Sequence, residues 1–272
     1  MFIAQISDLH VVSDTHRMYD FLDVNSQTAK AFAYLKSLPI DLSCIVISGD
    51  TVNCGTQASY HMLERLLDES RCPIFTIPGN HDDRDFLRTV ASGKYHRSKR
   101  DKLDYIVDDF DIKLIFIDSS VKGVPHGYLD KDQVEFICDS LRHSDKPAMI
   151  FMHHPPFLTG DTHMDPIYCL NGEELLNAVS QFSHLKAISC GHVHRAIFKN
   201  HNGLSLMTAP SIATTFLTDF FSSEGRFFET DSSYLLHRFK QNEGLTSFCE
   251  TIPQTLPISI QKVISCPKTG EV

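Results

Sequence analysis

Five short apolar runs in this chain each break off into a polar motif rich in Asp, Asn, His and Gly. Phe2–Ile6 leads into Asp8-Leu9-His10, and Cys44–Ile47 into Ser48-Gly49-Asp50. Ile74–Ile77 leads into Pro78-Gly79-Asn80-His81-Asp82, and Ala148–Met152 into His153-His154-Pro155-Pro156. Leu185–Cys190 leads into Gly191-His192-Val193-His194. Runs of this length, bounded by turn residues, read as buried strands. Between them, residues 25–37, 57–70, 84–92, 130–141 and 173–182 carry helical spacing or sit where a crossover helix is needed. The pattern is therefore α/β. In open α/β sheets, sites form just past the strand C-termini, where these motifs stand. Further strands are predicted at 103–107 and 113–117. A hairpin is predicted from 197–199 and 204–208 around Asn202-Gly203. Beyond about Phe216 the texture changes, with strands at 233–239 and 245–251 and then Pro253, Pro257 and Pro267. That change divides the chain into 1–215 and a C-terminal segment, 216–272. All-β connections near the end predict a mixed sheet.

The balance of charge narrows the function. The 272 residues carry a formal net charge of −9, and 42% are apolar. A substantial core is available. An acidic chain is a poor match for a nucleic-acid backbone or an anionic membrane surface. Lys94, Arg97, Lys99, Arg100 and Lys102 form a basic stretch, read as a solvated loop, with a substrate-facing rim as the alternative. Met1 leads directly into a strand-like run, and no apolar run approaches the length of a membrane span. A cytoplasmic protein without a membrane partner is expected. The eight cysteines show no zinc-finger spacing and read mostly as small buried hydrophobes.

Each motif alone is weak, because an Asp-x-His pair or a strand-terminal His is common. Residues i and i+2 of an extended chain face the same way, so Asp8 with His10, and His192 with His194, are each predicted to converge. Gly49 allows a sharp turn that presents Asp50, whose two oxygens suit a bridge between cations. Asn80 offers an amide oxygen, and His81 is expected to face substrate. Adjacent His153 and His154 diverge, so one of them is expected as a ligand. Together the motifs supply two Asp, one Asn and four His, which suits two divalent transition-metal ions drawn from Fe, Zn, Mn and Co.

At this point the sequence resembles the calcineurin-like metallophosphoesterases, whose Asp-x-His, Gly-Asp, Gly-Asn-His-Asp/Glu, His and Gly-His-x-His elements are all present. Within that family it is similar to the bacterial glycerophosphodiesterases and the class III cyclic-nucleotide phosphodiesterases. The similarity runs through Asp23-Val24-Asn25, residues 48–55, Phe116-Ile117-Asp118-Ser119-Ser120 and Ile264-Ser265-Cys266-Pro267. The resemblance implies a ββ sandwich flanked by helices (αββα) with a small C-terminal cap that aids a homo-oligomer, dimer or higher. It implies one metal on Asp8, His10 and His194, the other on Asn80, His153 and His192, and Asp50 as the bridge. It places His81 by the leaving group as the catalytic residue, and Asn53, His81 and Thr214 against substrate. It also raises a Cys54–Cys266 disulfide, against two free thiols. Asp50-Thr51-Val52-Asn53 and Asp82 depart from the protein-phosphatase pattern. The implied activity is hydrolysis of a small phosphodiester by metal-bound hydroxide, glycerophosphodiesters first. Cyclic nucleotides are the alternative, and a non-catalytic scaffold of the same fold is a lesser one. Two cations at about 3.5–4 Å neutralise phosphoryl charge and lower the pKa of water toward about 7.

Overall fold

A computed structural model describes residues 1–13, 16–68, 70–90, 102–228 and 230–253. The elements run β1 (Phe2–Ile6), α1 (Val24–Ser37), β2 (Cys44–Ile47), α2 (Gln57–Leu67), β3 (Ile74–Thr76) and α3 (Arg84–Val90). Next come β4 (Tyr105–Val107), β5 (Lys113–Ile117), α4 (Lys131–Arg142), β6 (Ala148–Met152), α5 (Gly172–Val179) and β7 (Leu185–Cys190). The chain closes with β8 (Ile197–His201), β9 (Leu204–Thr208), the short β10 (Thr215–Phe216) and β11 (Phe227–Phe228), then β12 (Ser233–Lys240) and β13 (Gly244–Thr251).

One sheet has the order β13-β12-β1-β2-β3 and the other β4-β5-β6-β7-β9-β8. In the first, β1, β2 and β3 are parallel and β12 runs antiparallel to β1. In the second, β5, β6, β7 and β9 are parallel, with antiparallel β4 and β8 at the edges. Both sheets are mixed, as predicted.

Strand alternation decides which face each residue serves. From β1, Ile3 packs between the sheets with Val46, Phe75, Phe116, Met149 and Phe151. Ala4 and Ile6 face outward instead, against Ala31, Phe32 and Leu35 of α1 and Tyr60 and Leu63 of α2. On the far side, Ile115, Ile150 and Ile188 meet Ile137 and Leu141 of α4 and Leu175 and Val179 of α5. The result is the αββα layering that the family resemblance implied.

Helix starts follow local chemistry. Asp23 caps α1 by accepting from Ser26 N, and Thr56 caps α2 through Ser59 N. Asp130 and Gln133 form a full capping box on α4. α5 begins without a side-chain cap and ends at Val179, short of the predicted Phe182. The ribbon β10–β11 had no sequence signal, because two-residue strands leave no period to read.

The basic stretch falls largely outside the described residues. So do the end of the predicted α3, Cys266 and the proposed cap. Lys102 is described, and its ammonium donates to the carbonyls of Asp118 and Ser120. No helix among the described residues is long and apolar enough to cross a membrane.

Candidate metal centre

Parallel strands bring all five motifs to one end of the sandwich. Asp8, Asp50 and Asn80 follow β1, β2 and β3 of one sheet, while His153, His192 and His194 follow β6 and β7 of the other. The centre therefore straddles the two sheets.

The backbone at these positions differs from the extended chain assumed from sequence. Asp8, His10, Asp50, His192 and His194 all have φ between 48° and 72°. This left-handed conformation costs L residues roughly 1–2 kcal/mol apiece, and its concentration here matches the rule that strain gathers at functional sites. Convergence within each pair comes from these turns, not from strand alternation. Backbone bonds hold the turns: Asp8 N donates to the Gly49 carbonyl and His10 N to that of Asp50. Space is tight as well. A Cβ on Gly79 would lie 2.1 Å from Asp50 Oδ1, and one on Gly49 2.3 Å from His153 Nδ1.

Two ligand-like clusters result. In the first, His194 Nε2 lies 3.5 Å from Asp8 Oδ1 and 3.2 Å from His10 Nε2. Donor atoms about 2.1 Å from one ion stand roughly 3.0–3.4 Å apart, so this spacing fits a shared cation. In the second, Asn80 Oδ1, His153 Nε2 and His192 Nε2 are buried atoms with no hydrogen-bond partner. Orphaned buried polar atoms are costly unless a ligand satisfies them. Asp50 Oδ2 lies between the clusters, 3.8 Å from His10 Nε2 and 3.4 Å from His153 Nε2. The donor set fits two cations with Asp50 between them.

Hydrogen bonds behind the imidazoles orient their rings. His153 Nδ1 donates to the Ser48 carbonyl at 2.8 Å, which turns Nε2 toward Asp50 Oδ2. His194 Nδ1 meets the Thr214 hydroxyl at 2.8 Å. Thr214, expected against substrate, is buried behind a candidate ligand. His154 lies close enough to His153 and His192 to share an ion. Both its ring nitrogens are taken, however, by Ser119 Oγ and the Pro125 carbonyl. One ligand from the His-His pair is the expected outcome.

Electrostatics separate His153 from the other three imidazoles. Burial pushes His10 down to about 4 and His192 to about 3, and holds His194 well below its ordinary value, so all three are neutral donors. Burial would lower His153 too, but the Asp50 carboxylate wins and lifts it to about 9. Asp50 is held well below the usual carboxylate range: burial would raise it, and neighbouring His153 outweighs that. Burial raises Asp8 to about 7. A bound cation would reverse that logic for both carboxylates.

His81 is exposed at the mouth of this centre, and its Nδ1 donates to the Asn53 carbonyl at 2.8 Å. Its Nε2 is thus the acceptor, and its ring meets that of His10 edge-on at 4.7 Å. Asn53 contributes here through its backbone. A polar recess of about 230 Å³ opens beside Asn80 and His81, bordered by Arg84, Ser120 and Lys122.

Sequence reading quoted Asp82, Asn25 and Asp118 within motifs but assigned them no part in holding these loops. Half-buried Asp82 accepts from Gly79 N, the Thr51 amide and hydroxyl, Val52 N and Tyr60 Oη, tying the Asp50 loop to the Asn80 loop. Asn25 brackets Val12 with two bonds and fixes the chain beyond His10. Asp118 takes Arg84 in a two-point pair beside the recess. Tyr60 left no signal, because its ring obeys the helical apolar period and only its hydroxyl does the tying.

The family model for calcineurin-like phosphoesterases matches residues 1–196. The chain belongs to that family. Among curated relatives, this phosphoesterase is 38% identical over 216 residues to the glycerophosphodiester phosphodiesterase GpdQ of Enterobacter lignolyticus, covering 78% of this chain and 77% of the relative. It is 25% identical to the 3',5'-cyclic adenosine monophosphate phosphodiesterase CpdA of Pseudomonas aeruginosa, covering 79% and 77%. A dimetal phosphatase from Danio rerio superposes with a TM-score of 0.68 at 13% identity, over 93% of this chain and 99% of that one, and so shares the fold. The expectation of a metal-dependent phosphodiesterase accords with the names of the curated relatives.

Proposed function

We propose that this phosphoesterase hydrolyses small phosphodiesters at a two-cation centre. Asp8, His10 and His194 hold one ion, Asn80, His153 and His192 the other, and Asp50 bridges. The observation that carries the ligand assignment is the set of buried atoms without a hydrogen-bond partner, Asn80 Oδ1, His153 Nε2 and His192 Nε2, with His153 Nε2 3.4 Å from Asp50 Oδ2. The bound cations, drawn from Fe, Zn, Mn and Co, supply Lewis acidity and lower the pKa of water.

The chain's own residues do the rest. Ser48 and Thr214 orient His153 and His194. His81, held by Asn53, stands where it can hand a proton to the departing alkoxide from Nε2 once protonated. The polar recess beside His81 suits the hydroxyls of a glycerol arm, and the 38% identical relative supports glycerophosphodiesters as the substrate class. A cyclic nucleotide is the second reading, favoured by Phe216, whose ring lies 4.5 Å from that of His194. A cytoplasmic setting and a homo-oligomer complete this reading, with Cys54 exposed as a thiol.

The test is hydrolysis of an aryl phosphodiester and its monoester by stripped protein, with and without Mn or Co. Metal-dependent cleavage of the diester well above the monoester is expected. No turnover by protein that has bound both ions would sink the proposal.

A further inference from the structure

A row of ring contacts crosses the centre and continues past it. His81 meets His10 at 4.7 Å, His10 meets His194 at 5.1 Å, and His194 meets Phe216 at 4.5 Å. Phe216 then meets Phe227 edge-on at 6.4 Å, and Phe227 stacks on Tyr19 at 5.0 Å. The first three rings are polar, and the last three form an aromatic shelf beside the candidate ligand His194.

The shelf is pre-set. Phe216 and Phe227 are register partners in the β10–β11 ribbon. The Phe216 carbonyl accepts from Arg195 Nη1 at 2.7 Å, in the loop that carries His194. Phe227 packs on Val12, Met18 and Leu22, so its backing is core. The ribbon is also tied across to residues 161–163. Asp161 accepts from Asp219 N, and the Thr162 hydroxyl donates to the Asp219 carbonyl. Tyr19 remains 54% exposed, so the row of rings that starts at His194 ends in aromatic surface facing solvent.

We infer that Phe216, Phe227 and Tyr19 form a specificity subsite for a phosphoester arm with a planar π face, a nucleobase or an aryl ring. The inference rests on the proposed two-cation centre, which anchors the phosphoryl group beside it. The polar recess at His81 lies at the opposite end of the ring row, so the two arms of an unsymmetrical diester meet different surfaces. A glycerol arm finds hydroxyl partners at the recess and none on the shelf. A planar arm finds stacking area on rings whose positions are already fixed, so little ordering entropy is lost on binding.

The test is calorimetric titration of the metal-loaded protein with phenyl phosphate, methyl phosphate and phosphocholine. These share the phosphate and differ in one arm. Phenyl phosphate is expected to bind roughly tenfold more tightly than methyl phosphate, the scale of one base–aromatic stack. The ratio should fall toward one in Phe227→Ala, which touches no candidate ligand, and in Phe216→Ala with metal content measured alongside. Equal affinities in the wild type, or a ratio that survives Phe227→Ala, overturns the subsite. Tightest binding of phosphocholine overturns it in favour of a cation site. Loss of an oligomer in Phe227→Ala with an unchanged ratio overturns it and assigns the shelf to a second copy of this chain. Calorimetry needs no turnover, so failure of the diesterase reading and failure of the subsite are separate results.

Discussion

At the scale of single residues, His81 and Thr214 separate two kinds of support. His81 is exposed at the mouth of the cleft, and its Nδ1 donates to the Asn53 carbonyl. His81→Ala should therefore keep both metals in elemental analysis and lower kcat by about 100-fold or more, as removal of a general acid does. Unchanged turnover would rule out the acid. Thr214 acts from behind, through His194 Nδ1. Thr214→Val keeps the volume and removes the hydroxyl, so metal affinity should fall about 10-fold, the lower end for lost ligand-orienting bonds. Thr214→Ser should restore it. His81 was legible in Asn80-His81-Asp82 as a residue type after a strand. That Thr214 lies behind a ligand was not legible, because the contact joins residues 20 positions apart.

Elements matter at the site through the loops that leave them. Asp82 sits after β3 yet bonds the turn after β2, and Tyr60 reaches it from α2. One carboxylate thereby fixes the spacing between the Asp50 and Asn80 loops. Asp82→Ala leaves buried donors at Thr51, Val52, Gly79 and Tyr60 without an acceptor. The expected cost is roughly 3 kcal/mol in urea unfolding, since orphaned buried donors cost about 1–3 kcal/mol and the loops relax in part. Metal affinity should fall with it. A loss within about 0.5 kcal/mol would mean that water or backbone replaces the carboxylate freely. Element positions themselves were read well: the bounds of β1, β2, β5, β6 and β7 coincide with the apolar runs. Those strands are buried on both faces, so their composition is almost unbroken apolar. The ribbon β10–β11 is short and half-exposed and left no such mark.

Across the whole molecule, the candidate metal centre straddles the two sheets, whose strand ends also meet through the Ser7–Ser211 bridge. Chelation should lower Tm by about 5 °C or more, with recovery on adding Mn or Co, because ligands that bind only the folded state stabilise it. An unchanged Tm after verified metal removal would contradict a clamp between the sheets. Deeper in the sandwich, His237 of β12 donates from Nε2 to Gln5 Oε1, and its Nδ1 accepts from Ser247. Gln5 in turn donates to Ser48 Oγ and the Cys190 carbonyl, and accepts from Ser189. Burial pushes His237 from 6.5 down to about 3. Below pH 6.5 the unfolded chain takes up a proton that the fold refuses. The stability from this group is whole above pH 6.5 and declines by roughly 1.4 kcal/mol per pH unit down to about 3. The difference in unfolding free energy between wild type and His237→Gln should show that slope, and a flat difference would contradict a neutral buried His237.

The amino-acid sequence by itself determined the strand runs, the α/β class and the chemical character of the centre, and the αββα layering followed from the family resemblance. Those depend on local pattern, and a buried strand must be apolar whatever surrounds it. It also placed the Asp, Asn and His donors at strand ends. Only the tertiary structure decided the rest. Convergence of Asp8 with His10 comes from left-handed turns held by the neighbouring loop, not from extended-chain alternation. The proton on His153 Nδ1 is fixed by the Ser48 carbonyl, and the ring of His194 is held by Thr214. The aromatic shelf at His194 exists because β10 and β11 pair across a loop. Each of these depends on contacts between residues far apart in the chain, which no local period encodes.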